Sequence, residues 1–531
     1  LLEPAFECIF YVIETTEDSH VRNGVIDIGS NSIKLVVGEK DKKELRLLES
    51  LKNIVPIGRH AFMGGEIPQE TLNQSVNVLQ KYRQVLRDYD IPNAKSFATT
   101  AIREAKNRDI FVDTVYRKTG FNVEILAVGD VVYYIDSYLA YTLKGSYPIH
   151  TKNVLIADLG AGSVDLSIMR KGFTLFNVGL PLGTMRLQQL LNKLDGTQEE
   201  NYEAVEEYIE RELSSLRRGL RVSHIDDLIL IDETYSPHIS TILGEETGEG
   251  RFYPFGVKEI SSLLMKLKNR NAEDITRDFG LPAEIADRIT MYILLLVQFL
   301  KVIQKDYLFI FETSLAEAVL AELLLGSELR KKYDKTNQLV SAARYLCQKY
   351  NADLPHAQNV ASMAGVIFEA AKEILGLKKD EKIYLILAAY LHDLGMFVHN
   401  RAHHKHTEYL LSALSLFRLS DKEMKIVACI SRYHRGNTPS ASHPLFSSLP
   451  QETRILVQKL SAILRITNAL DRTHKQKVRK LYARLNERGD LILEALTHQN
   501  FVLEKVDFLE KKDLFESISG NRVHLLEKAG V

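Results

Sequence analysis

The chain has 531 residues, room for about three to four domains at ~150 residues each. Hydrophobic residues make up 45% and charged residues 26%, the balance of a globular protein. With 68 Lys plus Arg against 69 Asp plus Glu, the net charge is −1, which excludes a global positive field that recruits nucleic acid or membrane and leaves only local patches for polyanions.

Residues 1–20 carry Glu3, Glu7, Glu14, Glu17 and Asp18 without a basic start, so they are read as an N-terminal extension rather than a signal peptide. A first α/β lobe is expected over residues 21–127. It opens on a hairpin at Gly24–Lys40 (GVIDIGSNSIKLVVGEK), continues with a helix over Gln69–Arg87, and has a strand from Ser96 that runs into a polar helix by Ile102. A second lobe is expected over 128–309, where the hairpin returns as NVLIADLGAGSVDLSIMRKG from Asn153. Its most apolar run, Ile289–Ile303, is interrupted by Gln298 and Lys301 and is too short to span a bilayer. From about Ile310 the pattern turns helical to Leu481, and a small α+β tail follows over 482–531, with short strands expected at Leu491–Leu496 and Val502–Val506. Cys8, Cys347 and Cys429 are dispersed, which excludes a disulfide scaffold and a cysteine zinc site and points to a reducing, cytoplasmic setting.

One internal repeat stands out. Asp27-Ile-Gly-Ser-Asn-Ser-Ile-Lys-Leu35 aligns without gaps to Asp158-Leu-Gly-Ala-Gly-Ser-Val-Asp-Leu166, each at the turn of a hairpin. A duplicated fold with facing loops follows from that placement. Gly29 and Gly160 are read as free to take positive φ. The backbone N–H groups of Ser30, Asn31 and Ser32, and of Ala161, Gly162 and Ser163, are then placed to cradle phosphate oxygens, while Asp27 and Asp158 hold a magnesium ion or its waters. The plainer reading of either loop is a tight turn with local Asp and Ser hydrogen bonds.

VIDIGSNSIKLVV, ATTAIREAKNRD, ADLGAGSVDLSI and LPLGTMRL, in that order, resemble the exopolyphosphatase / guanosine pentaphosphate phosphohydrolase (Ppx/GppA) family. The resemblance implies a duplicated, ribonuclease H-like, actin-like two-lobe fold. It also implies magnesium-assisted attack of water on the terminal phosphate of inorganic polyphosphate or a guanosine penta/tetraphosphate. Arg103 matches the family arginine that grips the reacting phosphate, its plainer reading being a surface residue paired with Glu104 or Asp109. Asp158 matches the acid associated with metal and water. Three positions depart from the family. Its S-G-x-E-E-A stretch reads Ala127-Val128-Gly129-Asp130-Val131-Val132, so Val131 replaces the general-base glutamate and Asp130 is the nearest substitute. Asp165 stands where the family has glutamate. A late glycine-rich loop is replaced by LILIDETYSP, with no glycine from Asp226 to Leu243. Homodimerisation, a family habit, is implied by the resemblance alone.

In the helical stretch, His356, His392-Asp393 and Asp471 form an H…HD…D layout that resembles the HD phosphohydrolase fold. It implies an all-α HD-type domain over 310–481 with one divalent ion, Mn, Fe, Ni, Zn or Mg. His406 and His434 are weaker candidates for added ligands. Arg401, His403, His404, Lys405, Arg432, Arg435, Arg465, Arg472, Lys475 and Lys477 form a candidate anion surface or a solvated basic face. Three functions stay open: a phosphohydrolase working in the front lobes, an HD-type phosphohydrolase of a nucleotide or phosphoester with the lobes as sensor, and a non-enzymatic polyphosphate or alarmone binder.

Overall fold

The computed structural model describes residues 21–220, 225–244, 250–268, 270–414, 416 and 419–529; the expected N-terminal extension and Cys8 lie outside them. In the first lobe β1 (Arg22–Ile28), β2 (Ser32–Asp41) and β3 (Glu44–Ile54) form an antiparallel meander. β4 (Lys95–Ala98) and β5 (Val123–Ile125) extend it in parallel, giving the order β3-β2-β1-β4-β5. The second lobe repeats this plan. β6 (Asn153–Leu159), β7 (Val164–Arg170) and β8 (Phe173–Leu180) are the meander, β9 (Asp227–Ile231) and β11 (Tyr307–Phe311) are the parallel additions, and β10 (Phe252–Gly256) pairs antiparallel at the edge. The duplication extends to register: Asp27 faces Lys34 across its hairpin, and Asp158 faces Asp165 across the other. Parallel strands need crossover helices, so each lobe is a sheet covered by helices.

The apolar run Ile289–Ile303 is an internal helix of the second lobe, with twelve of its fifteen residues buried. Its Gln298 donates to Glu206 at 3.0 Å, so the polar interruption is satisfied inside the domain. Among the described residues no helix is long and apolar enough to cross a membrane.

Two expected boundaries shift. Helix Leu315–Lys332 packs on helix Val128–Thr142 and on β1 and β2, so it closes the front lobes rather than opening the helical domain. The tail is not separate either. β12 (Val478–Leu485) packs on helix Leu354–Ala371, and helices Val502–Lys511 and Asp513–Ser519 pack on helix Gln451–Ala469. β12, β13 (Leu491–Thr497) and β14 (Val523–Ala529) form a small sheet. The strand expected at Val502–Val506 is helical: an Asn500 side chain accepts from the Val502 N–H at 3.0 Å, and the β-branched pair that suggested a strand lies one helical turn apart. A buried Lys477–Glu504 ion pair at 2.9 Å ties this helix to the end of the bundle.

The front lobes and the helical domain share one hydrophobic core. At its centre Asp136, fully buried, accepts from Ser167 Oγ at 2.9 Å and Thr174 Oγ1 at 2.5 Å, beside the Tyr333 hydroxyl. Gln338 bonds the backbone of Thr174 and Gly172, both at 2.8 Å, and locks helix Lys335–Lys349 onto β8. Burial pushes the Asp136 carboxyl up to about 7, against the hydroxyl donors that pull it down. An acid whose folded pKa is raised stabilises the fold below its unfolded value near 4 and loses that contribution as pH rises to about 7. Asp136→Asn is therefore expected to remove part of the wild-type fall in stability between pH 4 and 7.5. The difference is at most about 4 kcal/mol, at ~1.4 kcal/mol per unit, and is read by denaturant melts at the two pH values. Parallel pH profiles for the two proteins would refute it.

Candidate active site and candidate metal centre

Both hairpin turns open into one cleft of about 160 Å³ between the lobes. Each turn is closed by the same backbone bond, Gly29 N–H to Ser32 O at 3.0 Å and Gly160 N–H to Ser163 O at 2.9 Å. Neither glycine takes positive φ, contrary to expectation. Space is tight instead: a Cβ at either would lie 3.2 Å from the carbonyl oxygen of the serine three residues on, a contact that asks this carbonyl to give by a few tenths of an ångström. At Gly162 the lobes approach closely: a Cβ there would lie 2.5 Å from Phe62 and 2.6 Å from Ser30 Oγ. Arg186 pins that loop, donating to Gly162 O at 2.6 Å while lying over the Phe62 ring and pairing with Glu104. The Thr100 and Ser163 hydroxyls bridge the lobes at 2.7 Å.

The cleft is lined by Asp27, Asp158, Asp165, Asp232 and Glu233, with Lys52 and Arg288 as cations, and by Gly29, Ser30, Asn31, Ser32, Gly160, Ala161, Gly162 and Ser163. Burial pushes Asp27 up to about 7, with Glu233 adding to it, and Asp165 up to about 6 against the pull of Arg103. Asp158 is raised well above the carboxylate range by burial and then by Asp165 and Asp27. Oδ1 of Asp27 and of Asp165 is buried without a hydrogen-bond partner. Buried carboxylates short of donors and crowded by one another are an oxygen-only donor set that suits a hard divalent cation.

Arg103 sits behind the cleft, its guanidinium donating to Leu126 O at 2.8 Å and to Thr100 Oγ1 at 3.2 Å rather than pairing with Glu104 or Asp109. Asp130 is not brought to the cleft. Its carboxylate accepts from the Ala127 N–H at 3.1 Å at the start of helix Val128–Thr142, and Val131 faces the cleft in its place. A one-residue step on a helix turns the side chain by about 100°, which is why the neighbouring acid cannot substitute. Sequence reasoning missed Asp232, Glu233, Lys52 and Arg288. Glu233 pairs with Lys34, Arg288 donates to Asn31 Oδ1 at 3.1 Å across the lobes, and Asp232 accepts from the Thr234 and Ser236 N–H groups. The unusual acid pair in LILIDETYSP was the available signal for the first two.

The second constellation lies in the helical domain. Buried Asp393 faces His403 Nε2 at 3.2 Å and His434 Nε2 at 3.5 Å through Oδ1, and His392 Nε2 at 3.5 Å and His474 Nε2 at 4.0 Å through Oδ2. Among the described residues two groups have metal-ligand spacing: His356, Asp393 and His474; and Asp393, His403 and His434. Clustered His and Asp residues thus point to a metal-binding site here, with a ligand set that differs from the expected one. Asp471 serves behind His356, accepting from its Nδ1 at 2.9 Å, while His403 and His474 join the cluster. His406 belongs to neither group. Burial holds His392 down at about 4 and His434 well below the usual range, leaving both neutral. The basic surface is partly consumed: Arg465 bonds Tyr433 O and Gly436 O at 3.1 Å, and Arg432 pairs with Glu408.

Comparison with known proteins gives these sites a context. Residues 35–327 match the family model "Ppx/GppA phosphatase family", and residues 340–517 match "Ppx/GppA phosphatase, domain III". The second match corrects the expectation of an HD-type domain over 310–481. The matched unit runs through the tail to 517, in keeping with strands and helices that pack on the bundle as one body. A guanosine-5'-triphosphate,3'-diphosphate pyrophosphatase of Pseudoalteromonas atlantica is 19% identical over 458 residues, covering 85% of this chain and 87% of that protein. A bifunctional 3-dehydroquinate synthase/phosphatase of Fusobacterium nucleatum is 26% identical over 322 residues, 57% of this chain, which spans only 46% of that longer protein. An exopolyphosphatase structure from Cytophaga hutchinsonii aligns over 58% of this chain and 98% of its own, with TM-score 0.53 and 21% identity, a likeness of fold. With a family model spanning more than half its length, a duplicated two-lobe fold and a second family domain behind it, the chain belongs to the Ppx/GppA phosphatase family.

Proposed function

We propose that the interlobe cleft removes the terminal phosphate from a phosphoanhydride chain, either inorganic polyphosphate or the 5′-triphosphate of pppGpp. The observation that carries this reading is the pair of equivalent hairpin turns presenting Asp27 and Asp158 to one cleft, with small residues on both sides. At about 160 Å³ the cleft is below the ~300–1,000 Å³ of pockets that enclose a drug-sized ligand, so a phosphate chain enters and a nucleoside stays outside.

The backbone amides after Gly29 and Gly160 bind phosphate oxygens from opposite sides, and Arg288 and Lys52 supply positive charge. Asp27 and Asp158, on the ends of adjacent-lobe strands, fit a Mg²⁺ ion, which when bound neutralises phosphate charge. Asp158 and Asp165, opposite one another across β6 and β7, orient the attacking water. Asp165, held at about 6, is matched to accept its proton near neutral pH. Arg103 positions Thr100, which meets the second loop at Ser163. Val131 contributes no proton chemistry, so this cleft works without a glutamate at that position.

Phosphate release from long-chain polyphosphate and from pppGpp in the presence of Mg²⁺ tests the reading. Asp158→Asn is expected to reduce kcat by about 10²-fold or more with an unchanged fold by circular dichroism. Wild-type-like release from that variant removes the front cleft as the active site. Val131→Glu, which adds a carboxylate to the cleft wall, is expected to raise kcat about tenfold or more. A rate that does not rise means that Asp165 or Glu233 already supplies all the base catalysis the cleft can use. Arg288→Ala is expected to raise KM several-fold in low salt, read from initial rates against polyphosphate concentration.

A further inference from the structure

We infer that the outer face of helix Val502–Lys511 is the contact surface for a second copy of this chain, the two helices crossing antiparallel about a two-fold axis at Val506.

The helix is apolar on two sides. Its inner side is accounted for: Phe508 and the preceding Phe501 sit in the core, and Glu504 is buried in its pair with Lys477. Its outer side carries Val502, Leu503, Val506 and Leu509, each more than half exposed. Val502, Val506 and Leu509 follow one another at four and three residues, and Leu503 stands three before Val506, so the four form one stripe. Valine is a poorer helix former than alanine or leucine, so propensity does not account for Val502 and Val506 at exposed helical positions. A helix with one apolar face is complete once that face is docked, and a second apolar face calls for a second body.

The stripe continues beyond the helix. Met396, Leu503 and Val506 line one cavity of about 670 Å³, and the residues after Met396, Phe397 and Val398, are more than half exposed. The Phe397 ring packs edge-on against Tyr350 at 5.4 Å, which holds this corner in place. Large hydrophobic side chains thus gather around a single opening, whereas isolated ones on a protein surface need no partner.

The charges around the opening decide what covers it. Arg435 and Arg472 line the cavity together with Asp507 and Glu510. Asp507 is paired with Lys511 of its own helix at 3.9 Å, and among the described residues neither arginine forms an ion pair with these acids. Acids at the centre of the patch disfavour an anionic lipid surface, while a patch that carries both signs is matched by its own copy under a two-fold rotation. The Thr473 hydroxyl bonds Glu504 at 2.5 Å, so Arg472 stands beside the first half of the helix, and Glu510 lies at the far end. With the helices antiparallel and crossing at Val506, residue 510 of one copy falls opposite residue 502 of the other. Each Glu510 is thereby brought to the end of the other helix that Arg472 flanks. Leu503 falls opposite Leu509, and Val506 meets its own counterpart. A parallel crossing sets Glu510 against Glu510 and Arg472 against Arg472, which like-charge repulsion opposes. In the antiparallel arrangement the second copy covers the mouth of the cavity that reaches Asp393.

Sedimentation velocity of the full chain at micromolar concentration tests the surface. Wild type is expected to be a dimer. Val506→Glu, which sets two carboxylates against each other on the axis, should weaken association by about 100-fold or more. Arg472→Glu and Glu510→Arg should each weaken it by about tenfold, and the two together should restore it, because the pair re-forms with its signs exchanged. Val506→Cys should link into a covalent dimer when treated with diamide, and Leu47→Cys, exposed on the first lobe, should not. Circular dichroism checks that each variant is folded. A monomeric wild type, a dimer that Val506→Glu leaves intact, or a Val506→Cys variant that does not link overturns the surface. Single charge variants that associate as wild type does, or a double variant that does not recover, overturn the antiparallel crossing. A monomer that instead co-sediments with vesicles of phosphatidylglycerol and phosphatidylcholine overturns the second copy in favour of a membrane.

Discussion

Two strands that each end in an aspartate point at a single narrow cleft, and the burial of the acids gathered there, with their repulsion added, sets the terms for the front half of the molecule. Asp27, Asp158 and Asp165 are held in a space too buried to solvate three charges and too short of donors to pair them. Buried carboxylates short of donors are a common mark of places where an ion or substrate supplies the missing partner. The loops are accordingly small and close-set, with Gly162 against Phe62 and Ser30 and a hydroxyl bridge from Thr100 to Ser163, so that the lobes meet through backbone and short polar side chains.

The helical domain answers the same electrostatic problem with different atoms. Its acid, Asp393, is surrounded by imidazoles rather than by other carboxylates, and burial acts against its charge while the imidazoles more than offset that cost. The two centres are joined by a continuous core through helices Val128–Thr142, Leu315–Lys332 and Lys335–Lys349. Asp136 and Gln338 fasten that core to the second sheet, so the orientation of domain III is specified by buried hydrogen bonds rather than by a linker.

Much of the front site was legible in the sequence because its chemistry is local. The Asp-x-Gly turns and their duplication are readable within a few residues, and the absence of a glutamate at Val131 is visible through the family resemblance. What the repeat could not reveal is the backbone at 29 and 160, since a tight approach to a carbonyl three residues on looks the same in sequence as a need for positive φ. Nor could it show that Asp130 caps its helix, because position around a helix depends on where the helix begins. Glu233 and Arg288 were missed for a different reason: they come from loops far along the chain and reach the cleft only when the second sheet is assembled. In the helical domain the neighbouring His392 and Asp393 were visible as a pair. His403 was not distinguished from the surrounding basic cluster, because only packing decides which histidine of a run such as HHKH turns inward, and His474 was missed altogether.

By itself the sequence determined the two α/β lobes, the duplicated hairpins, the helical half and the kinds of side chain available for chemistry. Those are set by hydrophobic period, turn residues and local spacing, which act over a few residues at a time. The tertiary structure alone decided that the tail belongs to the helical domain, that helix Leu315–Lys332 belongs to the lobes, and which acids and imidazoles share a centre. These depend on contacts between segments tens to hundreds of residues apart, whose pairing is chosen by burial and shape once the elements exist, and no local pattern records that choice.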